Sequence, residues 1–505
     1  MGAQGKSVAI IGAGIAGLCA GVYAQMNGYQ SRIYEQHTAP GGLCTSWERH
    51  GYTVDLCVHW LVGSRPGIAM HELWREVGLV QGTEIIDLDE FARLETTDGT
   101  TVIFYRDLDR TEQHLLTLTT AGADSTLIRE FFRDARRLSG KDLRSDLPPQ
   151  FLMGRLERLR AIPMMLPYMK PFRTWGKVSL ADFADRFSST ALREAFRAWW
   201  HPEMSVFTML MTLVWLHDRQ AGYPIGGSLP LARAVERRYL DLGGEIEYGA
   251  RVASVMVESD RAVGLRMSDA GERRAEWVVS AADGHSTMFD LLEERYLDET
   301  RRHFYRDLPR FPSLVFVGLG VNRSFTDEPR PVSGWSLPAD PPLPLEGVET
   351  DRIAVRIHNF DPTLAPAGKT VITVALEADY DHWTNLAADD SRYEEEKAKV
   401  AEVVVGFLDR RYPGLRSQLE MVDVATPATI ERYTGNWMGS YEGWLPTPDT
   451  FIMEMPRDLP GLDAFLMAGQ WVMPGGGLPS GAMTGRQTVQ IMCHADGLRF
   501  HTTTA

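Results

Sequence analysis

The sequence predicts an α/β protein in two interleaved parts: a parallel sheet flanked by helices, and a discontinuous mixed α+β domain. Three observations predict this. Strand, glycine turn, helix and strand follow one another within residues 7–35. A second glycine-rich turn, Pro474-Gly475-Gly476-Gly477, precedes a helical stretch near the C-terminus. Between them strands and helices alternate with no repeat and no low-complexity linker, so the two parts share the chain without a clean boundary.

The elements follow in order. "SVAIIG" is a β-branched run, "IAGLCAGVYAQMNG" is helix-like and stops at Gly28, and "SRIYE" is a second strand. Two strands joined by a helix over about 30 residues form a βαβ unit. "FARLETTDGTTVIFY" (91–105) reads as a hairpin turning at Asp98-Gly99. Residues 121–221 read as mostly helical, with interruptions expected at Pro148-Pro149, Pro163, Pro167 and Pro171. A helix over 226–244 ends at a glycine pair, and strands "EIEYG", "RVASVMVE", "AVGLRMS" and "AEWVVSAA" follow. Residues 312–424 mix strands with one long charged helix, and "LDAFLMAGQ" is a last strand.

Composition bounds the function. A chain of 505 residues exceeds one ordinary core and implies two or three domains. Net charge is −15, which excludes a general nucleic-acid binder. Cys19, Cys44, Cys57 and Cys493 form no C-x-x-C pair and no zinc-spaced cluster, so no metal site is expected and a reducing compartment fits. "MGAQGKS" lacks the myristoylation pattern, and the first apolar run is a strand and turn, not a signal peptide. "VFTMLMTLVWL" (206–216) is too short to span a bilayer. The expectation is a cytoplasmic protein, either soluble or attached to a membrane surface.

Gly12, Gly14 and Gly17 form G-x-G-x-x-G between a strand and a helix. The first permits the turn, the second lets backbone approach a pyrophosphate, and the third lets helix and strand pack closely. Helix amides and dipole favour the phosphates. Glu35 ends the second strand, where a carboxylate accepts ribose hydroxyls. The predicted domain is therefore Rossmann-like and binds a dinucleotide.

A second glycine pair, Gly41-Gly42, follows Glu35, and Gly51, Tyr52 and Asp55 follow that. The stretch "HTAPGGLCTSWERHGYTVDLCVHWLVG" resembles the N-terminal signature of flavoprotein oxidoreductases of the phytoene desaturase, carotenoid isomerase and retinol saturase family, in the wider flavin amine oxidase group. The resemblance recurs at 222–252, 278–283, 426–444 and 469–486, and is poor near 106–200 and 291–424. It implies FAD, held by Gly12, Gly14, Ile15, Ala16, Gly17, Glu35, Gly41, Gly42, Leu43 and the main chain of Val252. It places Gly469, Pro474, Gly475, Gly476 and Gly477 at the flavin end, where a helix N-terminus would face the ring's N1 and C2 carbonyl. There a side chain is expected to collide with the flat ring. No cysteine lies beside this loop, so attachment is expected to be non-covalent. The implied domains are a FAD-binding domain from 1–75, 222–290 and 425–505, and a substrate domain from 76–221 and 291–424.

The substrate side is read from residue types. Residues 129–177 carry 12 Lys/Arg against five Asp/Glu, beside the apolar "AIPMMLPYM". A basic and apolar surface suits an anionic membrane face or a greasy entrance, so peripheral membrane contact is expected through 129–217, within a helical part at 121–221. Solvated helix faces are the bland alternative. His59 is a candidate proton shuttle beside Trp60. Tyr433 and Trp437, with Tyr441 and Trp444, are candidates to stack on a planar substrate. The resemblance implies hydride exchange between flavin N5 and the carbon–carbon bonds of a hydrophobic polyene, by desaturation, saturation or cis–trans isomerisation. An oxidase of an amine or smaller secondary metabolite is the second enzyme reading. A prenyl-binding protein like the Rab GDP-dissociation inhibitors is the non-enzyme reading. Substrate identity and the electron donor or acceptor stay open.

Overall fold

The computed structural model describes residues 5–505 except 350 and 454, so the first four residues of the 1–75 segment lie outside it. Among the described residues, one sheet has five parallel strands in the order Glu245–Tyr248, Gln30–Glu35, Ser7–Ile11, Trp277–Ser280, Phe465–Met467. The central strand is an unbroken apolar run because both its faces are covered. The helix Ile15–Met26 packs beneath it and is buried everywhere except Gln25. Beside it runs the last helix, Gly477–Ala495. A Cβ on Gly485 would lie 2.6 Å from the carbonyl oxygen of Ala16, so only glycine lets these two backbones touch. The two ends of the chain thus form one layer.

The chain leaves this sheet twice, and both excursions feed one mixed sheet of seven strands. The first supplies the hairpin Glu90–Glu95 and Thr101–Tyr105, closed by the Gly99 amide on the Thr96 carbonyl. The second supplies Ser313–Val321, Gly334–Pro338, Arg352–Ile357, Thr370–Ala378 and Leu419–Ala425. The two contributions join where Gly334–Ser336 pairs in parallel with Ala92–Leu94. Val400, Val404 and Leu408, on one side of the helix Asp390–Arg411, cover its core.

Pro163, Pro167 and Pro171 do not interrupt the helical region. They lie inside one continuous helix, Arg155–Trp175. Their spacing of four puts the missing amides on one side of the helix, which is exposed at Pro163 and runs into the protein at Pro171; water can serve the carbonyl freed at the exposed end. This helix also carries Leu156, Leu159, Ile162, Met165, Leu166 and Met169 in the open, with Leu156 and Leu159 above 60% exposed. By contrast Val206–His217 is core: Phe207, Met209 and Met211 are buried. Among the described residues, no helix is long and apolar enough to cross a membrane.

Candidate functional site

A cleft of about 1200 Å3 opens along the carboxyl ends of the parallel strands. Gly12, Gly14, Ile15, Ala16, Glu35, Gly41, Gly42, Leu43, Val252, Gly469 and Gly477 all line it, drawn from both termini and the middle of the chain.

The first glycine turn is built as its spacing predicts. Gly12 has φ +93°, and its amide donates to the Tyr34 carbonyl at 2.8 Å. A Cβ on Gly17 would fall 2.0 Å from the Gly12 carbonyl oxygen, so this glycine serves packing and does not line the cleft. The second turn leans on the first: the Gly41 amide donates to Ala13, and a Cβ on Gly42 would touch the Gly14 Cα. Glu35 is 8% exposed and accepts the amides of Ala13 and His37, both at 2.7 Å. Its carboxylate therefore fixes the glycine turn, with further lone pairs left for a ligand. Buried Asp55 accepts from the Ser228 hydroxyl at 2.8 Å and from the amides of Cys57 and Val58, tying its loop to the start of the helix Ser228–Asp241.

Two long helices begin without a side-chain cap: Ile15–Met26 behind Gly14, and Gly477–Ala495 behind Gly476. Their first amides are left for something else, and Gly14, Ile15 and Gly477 place both starts on the cleft. Uncapped amides, close backbone and a volume above that of drug-sized pockets fit a long anionic dinucleotide such as FAD.

At the second helix start Gly475, Gly476 and Gly477 have φ of +94°, +55° and +75°. The Gly475 amide donates to the Trp444 carbonyl, and Pro474, Gly475 and Gly476 stand behind the lining rather than in it. A reason for glycine at 476 also lies in the protein itself: a Cβ there would meet the Glu442 carboxyl at 3.0 Å. Sequence reading missed Glu442. It lines the cleft, and burial pushes its carboxyl up to about 8. Asp283 was also missed. It lines the cleft, accepts the amides of Ser286 (2.8 Å) and Trp437 (2.9 Å), and is pushed up to about 7 by burial. Neither had a signal in the sequence beyond lying inside or next to a matched segment.

The four candidate catalytic side chains do not converge. His59 is absent from the cleft lining; burial, then the Arg356 guanidinium, hold it well below the ordinary imidazole value. Arg356 also donates to the carbonyls of Val58 (2.8 Å) and His59 (3.3 Å). Trp60 packs edge-on to Phe91 at 5.0 Å and beside Trp200 at 5.4 Å. Tyr433 lines the rim, 47% exposed and edge-on to His37, close to the Glu35 end. Trp437 stacks on His285 at 4.9 Å and 6°, with Arg310 over its ring, so its face is already occupied. Tyr441 and Glu442, in contrast, both line the cleft.

Comparison with known proteins agrees with this geometry. Residues 10–77 match the model of an NAD(P)-binding Rossmann-like domain. The chain is 25% identical to the chloroplastic prolycopene isomerase of Daucus carota, over 96% of this chain and 78% of that one. It is 26% identical to the lycopene-forming phytoene desaturase of Pseudescherichia vulneris, over 96% and 99%. Among solved structures, an oxidoreductase from Methanosarcina mazei superposes with a TM-score of 0.59 at 16% identity, over 96% of this chain and 100% of that one. A putrescine oxidase with redesigned cofactor binding superposes at 0.60 and 14% identity, over 97% and 99%. The fold is that of these oxidoreductases, and the likeness to the isomerase and the desaturase runs over 96% of this chain.

Proposed function

We propose that the protein is a FAD-dependent oxidoreductase acting on the carbon–carbon bonds of a hydrophobic polyene, by desaturation or cis–trans isomerisation. The observation that carries this is the meeting of two uncapped helix starts, 462 residues apart in sequence, in one cleft. The full-length likeness to a phytoene desaturase and a prolycopene isomerase supplies the substrate class. Bound there, FAD would supply hydride acceptance and donation.

The chain's own residues bind, orient and exclude water. The amides behind Gly14 would hold the pyrophosphate, Glu35 the ribose, and the amides after Gly476 the ring edge. Holding would be non-covalent at the ring end: Cys493 is buried and lies far down the last helix, away from Gly475–Gly477. Glu442, its carboxyl raised to about 8, places a mostly protonated acid on the cleft wall near neutral pH, and Asp283, raised to about 7, one that is part-protonated. The division we propose is a FAD-binding domain from 1–75, 222–290 and 425–505 and a substrate domain from 76–221 and 291–424.

The substrate reaches the cleft from a membrane surface. The exposed apolar side chains of Arg155–Trp175 stand among Arg155, Arg158, Arg160, Lys170 and Arg173, a pairing that suits an anionic bilayer face.

The test begins with the visible spectrum of the purified protein. Flavin bands that denaturation releases into solution, and conversion of phytoene or prolycopene presented in anionic liposomes, are expected. A protein that stays colourless after incubation with FAD would overturn the reading.

A further inference from the structure

Desaturation removes two hydrogens, one with its electron pair and one as a proton. His201 is 7% exposed and bridges two residues far away in sequence. Its Nε2 stands 2.6 Å from the Tyr441 hydroxyl oxygen, and its Nδ1 stands 3.1 Å from Glu377 Oε1. Tyr441 lines the cleft beside Glu442. The Glu377 side chain is 40% exposed, at the end of the strand Thr370–Ala378. Phe311 packs edge-on to His201 at 5.5 Å and against Tyr441 at 5.2 Å, walling the contact in apolar surface.

Resting on the oxidoreductase reading, the geometry points to Tyr441, His201 and Glu377 as a proton relay between the cofactor cleft and bulk solvent. The relay requires one polarity: His201 carries its hydrogen on Nδ1, toward the Glu377 carboxylate, and leaves Nε2 bare to accept from the tyrosine. In the desaturating direction one substrate C–H bond gives its hydrogen and electron pair to bound flavin, the oxidant. The neighbouring C–H bond gives up a proton, and its electron pair closes the new double bond. Tyr441 Oη takes that proton while its own passes to His201 Nε2. The imidazolium so formed sits against the Glu377 carboxylate and releases a proton at the exposed end. Saturation is the same transfer reversed. Tyr441 faces the reacting atoms in this scheme, and His201 and Glu377 are positioning residues behind it. Glu349 faces the same group: burial raises its carboxyl first, then the nearby Glu377, with Asp351, His201 and Glu203 also close.

The tautomer of His201 tests the relay without substrate or flavin. In protein labelled with 15N-histidine, with His201→Gln used for assignment, the Nδ1–H form is expected at about pH 8, shifting toward Nε2–H in Glu377→Leu. An Nε2–H form in the unaltered protein, or a tautomer that Glu377→Leu leaves alone, would overturn the relay. A second arm uses phytoene as probe. Tyr441→Phe is expected to keep its flavin bands and melting temperature while turnover falls about 10²–10³-fold. Turnover within about threefold of the unaltered protein sinks the relay. Protein that binds FAD yet converts no polyene counts against the oxidoreductase reading alone, and the tautomer still decides the relay.

Discussion

Glu442 and Gly476 stand in contact: a methyl group on the glycine would lie 3.0 Å from both the carboxyl carbon and Oε2. With φ of +55° at Gly476, a side chain is also strained there whatever the space. Gly476→Ala is therefore expected to lower stability by about 1–2 kcal/mol and to weaken flavin retention. Glu442→Ala placed on top should recover part of the loss, because it removes the two carboxyl contacts and leaves the strain and the 3.1 Å approach to the Cβ of residue 442. Thermal melts and flavin-to-protein absorbance ratios of the two single variants and the double would show this; strict additivity would separate the two residues.

Glu442 also makes stability depend on pH. Its carboxyl is pushed from 4.5 up to about 8 by burial. Between those values the folded protein holds a proton that the unfolded chain has released, so stability falls as pH rises through the window and levels off above it. Glu442→Gln cannot ionise. It should match the unaltered protein near pH 4.5 and gain over it as pH rises, by on the order of 1 kcal/mol at about pH 9, water in the cleft screening part of the effect. A difference in melting temperature that stays flat across this range would contradict the raised carboxyl.

Glu35 holds two backbone amides as well as facing the cleft. Glu35→Ala leaves the Ala13 and His37 amides without their acceptor, at a cost of about 1–3 kcal/mol each where water cannot replace it. The expected result is a lower melting temperature in the flavin-free protein, together with loss of FAD binding by calorimetry. An apo-protein that melts as before would mean the glycine turn does not depend on this carboxylate.

The glycine turns were legible because backbone demands them: Gly12 needs its positive φ, and Gly17 has no room for a Cβ. The parallel sheet was legible for a similar reason, since its apolar runs suit only strands covered on both faces. The wall of the cleft was not. Glu442, Asp283 and His201 take their character from residues 34 to 240 positions away, such as Gly476, Trp437 and Tyr441. His59 misled because a histidine in a matched stretch looks reactive until Arg356, nearly 300 residues later, is placed beside it.

His59 supplies a prediction of its own. Held well below the ordinary imidazole range by burial and Arg356, it should carry no step near neutral pH. His59→Asn is expected to leave the shape of the pH profile for phytoene conversion unmoved. A displaced limb would return His59 to the proton chemistry.

The exposed helix can be tested by charge. Leu159→Asp with Ile162→Asp touches side chains that are already in solvent, so melting should change by less than about 0.5 kcal/mol in free energy. Co-sedimentation with vesicles containing phosphatidylglycerol is expected to fall severalfold, and more so as salt rises. Unchanged sedimentation would remove this helix from the docking surface.

The three prolines of that helix set how deep it can lie. Pro163, Pro167 and Pro171 withhold the amides that the carbonyls of Leu159, Pro163 and Pro167 would otherwise receive. Such oxygens keep their partners only where water reaches, and hydrocarbon has none to give. The row of carbonyls is therefore a waterline drawn along the helix: one flank can wet itself in lipid, and the other must stay among the headgroups.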